Sequence, residues 1–265
     1  MRPNLPPVPE EAHGERTKFN PLIGYQMTLG FYLNHIALLR SSEQPLDLEP
    51  AWFAALAESA GAGVILAGWT PTGGLLTERD FRLIRELVKG ELWFLAPVGT
   101  DFIEMVVKLQ PNGIILVGAG WNGVEPPRPL QFEADAAQIA EAIAAYKTAG
   151  IPVSALAQPE LASLKTIVRC GLSGLMFDAS GYGQARSDSE AQAALDKLAE
   201  ACLAANKYGL SISIGPGVDY RNAEAFAALR FVETIVMGTP IIQRALMVGL
   251  ERALARVIEI LNHRA

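Results

Sequence analysis

Short apolar runs without a polar face recur along the chain, and between them lie longer stretches whose apolar positions return with the period of a helix. The runs fall at 31–35, 64–69, 92–97, 114–118, 153–157, 175–178, 212–215 and 235–238. Helical periodicity holds over 50–60, 78–89, 102–109, 134–149, 160–170, 188–208, 222–229 and 240–262. Strands that lack polar alternation are covered on both faces, and parallel neighbours need a crossover long enough to hold a helix. The pattern therefore predicts an α/β fold of eight strand–helix units closed into a (β/α)8 TIM barrel. The competing arrangement is an open doubly wound sheet. That fold more often carries a glycine-rich fingerprint after its first strand, where this chain has Asn34-His35. Residues 1–28 are rich in proline and charge and show no apolar period, so they read as an irregular N-terminal extension to a single barrel domain over 29–265.

Composition narrows the partners. Half of the 265 residues are hydrophobic, enough for one large core. The net charge is −6, and the 22 Lys and Arg form no basic stripe to neutralise phosphates along a nucleic acid, which argues against that partner. No apolar run approaches the roughly 18 to 20 residues of a membrane span, and the first residues lack the apolar core of a signal peptide. The expectation is a soluble, cytoplasmic protein with no membrane partner. Cys170 and Cys202 are too few for a metal knuckle and sit in apolar helical patterns, so they read as buried thiols. No metal and no cofactor are expected.

In barrels of this class the working residues lie at the carboxyl ends of the strands. Of the three histidines, His13 and His263 are terminal, which leaves His35 as the imidazole placed to act near neutral pH; its alternative is a structural hydrogen bond under the first loop. Asp178 is the carboxylate at a strand end, a candidate acid or base or, equally, a loop cap. After the last strand, Gly238-Thr239-Pro240 reads as a helix start that Thr239 caps and Pro240 opens. Free amides and the positive dipole end there suit a phosphate, and Gly217 in the preceding loop permits close backbone approach.

Three segments resemble the pyridoxine 5'-phosphate synthase family. Gly30 to Arg40, GFYLNHIALLR, is similar to the family's opening GVNIDHVATLR; Gly171 to Val218 resembles its strand 6 to strand 7 region; and MGTPIIQRALMVGLERAL is similar to its IGHAIIARALFVGLEEAV. The resemblance implies a (β/α)8 barrel, usually an octamer and hence a homo-oligomer, that condenses 1-deoxyxylulose 5-phosphate with 3-amino-2-oxopropyl phosphate. It also implies departures. The family's Asp-His pair falls on Asn34 and His35, and its motif arginine on Arg40. A second, phosphate-binding arginine falls on Glu43. The family's His-x-Arg falls within Ala67-Gly68-Trp69-Thr70, its strand 3 glutamate on Phe94, its strand 6 histidine on Asp178, its Gly-His-Gly histidine on Pro216, and its last Gly-His pair on Gly238-Thr239.

These losses of acid/base groups predict a divergent barrel in which the standard condensation is weakened and a small phosphorylated metabolite is bound or converted. The expected catalytic residues are His35 and Asp178, and the expected substrate-binding residues are Asn34, Arg40, Gly217, Gly238 and Thr239. A noncatalytic metabolite-binding or partner-subunit barrel is the alternative, suggested by Trp69, Phe94 and Trp121 near the pocket mouth. Authentic pyridoxine 5'-phosphate synthesis is the third reading.

Overall fold

The computed structural model describes residues 27–41, 48–70, 75–99, 102–123 and 125–263. Most of the expected extension and Glu43 lie outside them. The chain runs β1 (Thr28–Tyr32), α1 (Asn34–Ser41), α2 (Pro50–Ser59), β2 (Val64–Gly68), α3 (Glu78–Leu87), β3 (Glu91–Pro97), α4 (Ile103–Leu109), β4 (Gly113–Val117), α5 (Ala136–Thr148) and β5 (Val153–Ala157). It continues through α6 (Leu161–Arg169), β6 (Gly174–Phe177), α7 (Ser180–Gly183), α8 (Asp188–Lys207), β7 (Ser211–Ile214), α9 (Ala223–Ala227), β8 (Thr234–Met237), α10 (Thr239–Val248) and α11 (Leu250–Asn262). Each strand pairs in parallel with its neighbours in sequence, and β1 closes on β8 with Phe31 opposite Met237, so the sheet is a closed eight-stranded barrel.

Alternation along each strand sorts the apolar residues into two layers. Tyr32, Leu66, Leu95, Val117, Leu156 and Met176 point inward and fill the barrel. Phe31, Ile65, Ala67, Phe94, Ile114 and their equivalents point outward against the helices. Helix entry is set locally: Pro50 opens α2, and at α3 the Thr77 side chain accepts from the Asp80 amide while Asp80 accepts from the Thr77 amide. The chain ends of the strands are thereby fixed against a rigid outer shell.

Four expectations change. The first strand, read from the sequence as 31–35, is β1 at Thr28–Tyr32, and α1 starts at Asn34, so His35 stands in the first turn of a helix and not on a strand. The single helix expected over 240–262 is two, α10 and α11, broken at Gly249, whose φ of 86 ends the first. Thr239 does not cap α10. Gly238 holds the cap position without a side-chain bond, and Thr239 is the first helical residue. Finally, Cys202 is buried but Cys170 is only half-buried, its thiol against the Thr166 carbonyl at 3.3 Å.

Candidate active site at the carboxyl ends of the strands

A cavity of about 200 Å³ opens where β1, β6, β7 and β8 end. His35, Gly217, Gly238 and Thr239 all line it. The Thr239 hydroxyl lies 2.8 Å from Nε2 of His35, a bond between the first turns of α1 and α10. Nδ1 of the same ring is buried without a partner among the described residues. Burial lowers the His35 pKa, because desolvation penalises the imidazolium. The ring is therefore neutral near pH 7 and able to accept a proton or share one with a bound group.

The backbone beside the imidazole comes from two loops. In the first turn of α10, Pro240 has no N–H, and the amides of Ile241 and Ile242 turn back to the Gly238 carbonyl at 3.0 and 3.2 Å. That leaves the Thr239 amide as the first-turn donor not committed to Gly238, at the positive end of the helix dipole. Beside it Gly217 has φ of 91 and presses on the start of α7: an added Cβ would lie 2.5 Å from both the amide nitrogen and Cα of Ser180. The Asn222 amide group holds the Gly217 carbonyl at 2.8 Å, and the Ala179 amide holds that of Pro216 at 2.9 Å. The two loops are thus locked together.

Other expected site residues stand elsewhere. Asn34 is fully buried behind the wall, where it accepts from the Gly68 amide at 2.7 Å and donates to the Gly68 carbonyl at 2.9 Å. The Arg40 guanidinium is engaged by both carboxylate oxygens of Asp80, at 2.7 and 2.6 Å, and by the Leu75 carbonyl. Asp178 does not line the cavity; it accepts from the Ser180 amide at 2.9 Å and from Gln158 at 3.2 Å, as a loop cap does. The aromatic residues also redistribute. Trp69 stacks on Phe102 at 4.5 Å and Phe94 packs edge-on to Phe81 at 4.8 Å, both in the outer layer, so neither stands at the mouth. From β3 it is Leu95 that reaches the cavity.

Sequence reasoning missed Tyr32, Met176 and the Glu125-Pro126-Pro127 loop, all of which line the cavity. Tyr32 is 8% exposed, its hydroxyl has no partner among the described residues, and desolvation raises its pKa well above the ordinary value, so it stays a neutral phenol. The sequence gives no sign of it, because Leu29, Phe31 and Tyr32 are apolar on both faces of the first strand. No group of three or more metal-ligating side chains occurs among the described residues. Nor is any described helix long and apolar enough to cross a membrane.

Residues 29–263 match the family described as pyridoxal phosphate biosynthesis protein PdxJ. The chain belongs to the PdxJ family. Relatives named pyridoxine 5'-phosphate synthase include that of a Cyanothece species, 29% identical over 85% of this chain and 94% of its own. That of Geobacter sulfurreducens is 27% identical over 89% of this chain and 98% of its own. These names give a divergent or noncatalytic PdxJ barrel no specific support over the synthase itself. Among solved structures, tryptophan synthase from M. tuberculosis superposes with a TM-score of 0.60 at 14% identity, covering 93% of this chain and 99% of that one. KGPDC from Streptococcus mutans gives 0.59 at 13%, covering 89% and 98%. At these identities the likeness concerns the barrel alone.

Proposed function

We propose that this PdxJ-family chain is an enzyme acting on a small phosphorylated metabolite in the cavity at the carboxyl ends of the strands. The observation that carries the reading is the convergence of His35, Gly217, Gly238 and Thr239 on one wall, with the Thr239 hydroxyl on the imidazole. The phosphate sits against the Thr239 amide and the backbone at Gly217 and Gly238, where dipole and N–H groups favour an anion. His35 is the proton-transfer group: neutral at pH 7, it accepts a proton from the carbon or hydroxyl adjacent to a carbonyl and returns it to the product or leaving group. Thr239 fixes the ring orientation. Asn34 acts behind the wall as a positioning residue, tying the start of α1 to the end of β2.

The family match favours a second reading, pyridoxine 5'-phosphate synthesis itself. One assay separates the two. The purified full chain is incubated with 1-deoxyxylulose 5-phosphate and 3-amino-2-oxopropyl phosphate, and pyridoxine 5'-phosphate is followed by its fluorescence. Formation at ordinary turnover, abolished in His35→Ala, selects the synthase. Binding of phosphate esters without product selects a repurposed barrel. Neither binding nor turnover rejects both.

A further inference from the structure

A second cavity, of about 130 Å³, lies outside the barrel, where the ends of β3 and β4 meet α4 and α5. It shares no described lining residue with the cavity at His35. Pro97 at the end of β3, Leu116 from the outward layer of β4, Ile103 of α4 and Ala142 of α5 give it apolar walls. Its polar groups come from α5: Gln138, Glu141 and Tyr146 line it together with Ala142. Positions i, i+3, i+4 and i+8 share one face of a helix, so all three side chains turn to the same space.

Tyr146 is the unusual member. The residue is 2% exposed, yet it lines the cavity, and among the described residues none hydrogen-bonds its hydroxyl. Burial raises its pKa above the ordinary value, so the group is a neutral phenol. A buried tyrosine hydroxyl ordinarily has a partner, and an apolar side chain would fill the same place without that need. Gln138 is seated by the strand end. Gly99 has φ of 78, and a Cβ added there would lie 3.3 Å from both Cδ and Oε1 of Gln138, so the amide group rests across bare backbone.

Size and charge select the ligand. The volume is many times the ~10–15 Å³ that admits one water, and it is well below the ~300–1,000 Å³ of pockets for drug-sized molecules. A molecule of a few heavy atoms fits. Glu141 offers a carboxylate, Gln138 an amide carbonyl and Tyr146 a hydroxyl oxygen, which makes three acceptors, one of them charged. A primary ammonium has three N–H donors and the opposite charge. An anionic ligand would face Glu141, and an alcohol would satisfy the phenol without using the carboxylate's charge.

We infer that this cavity is a binding site for a short aliphatic primary amine, its ammonium held by Glu141, Gln138 and the Tyr146 hydroxyl and its carbon stem lying against Pro97, Ile103 and Leu116. The site does not depend on the phosphate reading above.

The test is a saturation-transfer NMR titration of the full chain at neutral pH with butylamine, 1-butanol and propionate, ligands of similar size that differ in charge. Butylamine is expected to saturate a site at millimolar concentration, with the alcohol weaker by roughly tenfold or more and propionate unbound. Saturating inorganic phosphate should leave the amine titration unchanged, which separates this site from the cavity at His35. Glu141→Gln, at an exposed position, should weaken butylamine by roughly tenfold or more and leave the alcohol as it was. Tyr146→Phe should weaken butylamine several-fold while melting no lower than wild type without ligand, because it removes a buried hydroxyl that no described group satisfies. Alcohol bound as tightly as the amine would remove ammonium recognition, and failure of all three ligands to bind would leave the cavity to water alone. Unchanged amine affinity in Glu141→Gln would place the amine elsewhere. Each of these three results overturns the inference.

Discussion

Thr239 and His35 stand 204 residues apart in the chain and share a 2.8 Å contact between Oγ1 and Nε2. The contact joins the helix that follows the first strand to the helix that follows the last, across the seam where the barrel closes. It couples the one imidazole among the described cavity-lining residues to the first residue of α10, whose amide is the proposed phosphate donor. Removing the hydroxyl leaves Nε2 as well as Nδ1 without a partner among the described residues. In Thr239→Val the His35 pKa measured by NMR titration is expected to move, and any turnover to fall roughly tenfold, the worth of one hydrogen bond of about 1 kcal/mol or slightly more. Thr239→Ser should restore both. An unchanged titration in the valine variant would show the contact to be incidental.

Binding of phosphate is expected to draw a proton onto His35. Burial holds the imidazole below its ordinary pKa of about 6.5, and a dianion placed beside it favours the charged ring. Near pH 6, calorimetry of binding of sulfate, which stays a dianion at this pH, in two buffers of different ionisation enthalpy should give different apparent enthalpies, with the sign of proton uptake. Equal enthalpies would place the anion away from His35. The free protein carries the converse signature. With the folded pKa below the unfolded one, the His35 contribution to stability is whole above about pH 6.5 and is lost as pH falls from there through the folded pKa.

The barrel was legible because its strands are apolar on both faces, but the same feature hid the site. Where inside and outside are equally hydrophobic, parity along a strand cannot be read, so nothing in the sequence corrected the placement of the family's strand 3 glutamate on Phe94, which faces outward, while Leu95 faces the cavity. The first strand was displaced because Leu33 continues the apolar run of Phe31 and Tyr32 up to Asn34-His35, although the backbone turns into α1 at Asn34. His35, Gly217 and Thr239 could be picked out by position alone, since residue type and strand end were both visible. Their mutual geometry was not, nor was the role of Thr239, whose hydroxyl was expected to cap its own helix and instead reaches His35. Long-range pairings of this kind leave no mark in local periodicity.

Gly217→Ala tests the loop lock. The residue combines φ of 91 with a Cβ site 2.5 Å from the Ser180 backbone, so both conformation and space exclude a side chain. Destabilisation of about 1–3 kcal/mol is expected from urea unfolding, as for a residue forced into an unfavourable backbone region, together with loss of phosphate affinity as the α7 start is pushed away. Gly120→Ala, with φ of 73 but nothing within 4 Å of its Cβ position, pays the conformational term alone and should leave phosphate binding unchanged. Equal effects of the two substitutions on binding would remove Gly217 from the anion site.

Arg40 offers the sharpest separation between a ligand-binding and a structural arginine. Its fork meets Asp80, whose side chain is 1% exposed and also accepts from the Thr77 amide at 2.7 Å and hydroxyl at 2.9 Å. Burial alone would raise the Asp80 pKa; the bonds from Arg40 and Thr77 outweigh it and hold the carboxyl below its ordinary value. Its stabilising contribution is therefore present above the ordinary aspartate pKa and lost as pH falls through the folded one. Arg40→Ala leaves the carboxylate only the long, largely exposed contact to Arg79 at 3.9 Å, and a loss of about 3–5 kcal/mol at pH 7 is expected, as for breaking a buried pair. In that variant the uncompensated burial raises the Asp80 pKa, so the deficit relative to wild type should shrink as pH is lowered toward about 4. Asp80→Asn combined with Arg40→Ala should cost less at pH 7 than Arg40→Ala alone, because no buried charge is left behind. If Arg40 instead held a substrate phosphate, Arg40→Ala would weaken phosphate binding by orders of magnitude while unfolding at nearly the wild-type urea concentration, and the double variant would recover nothing.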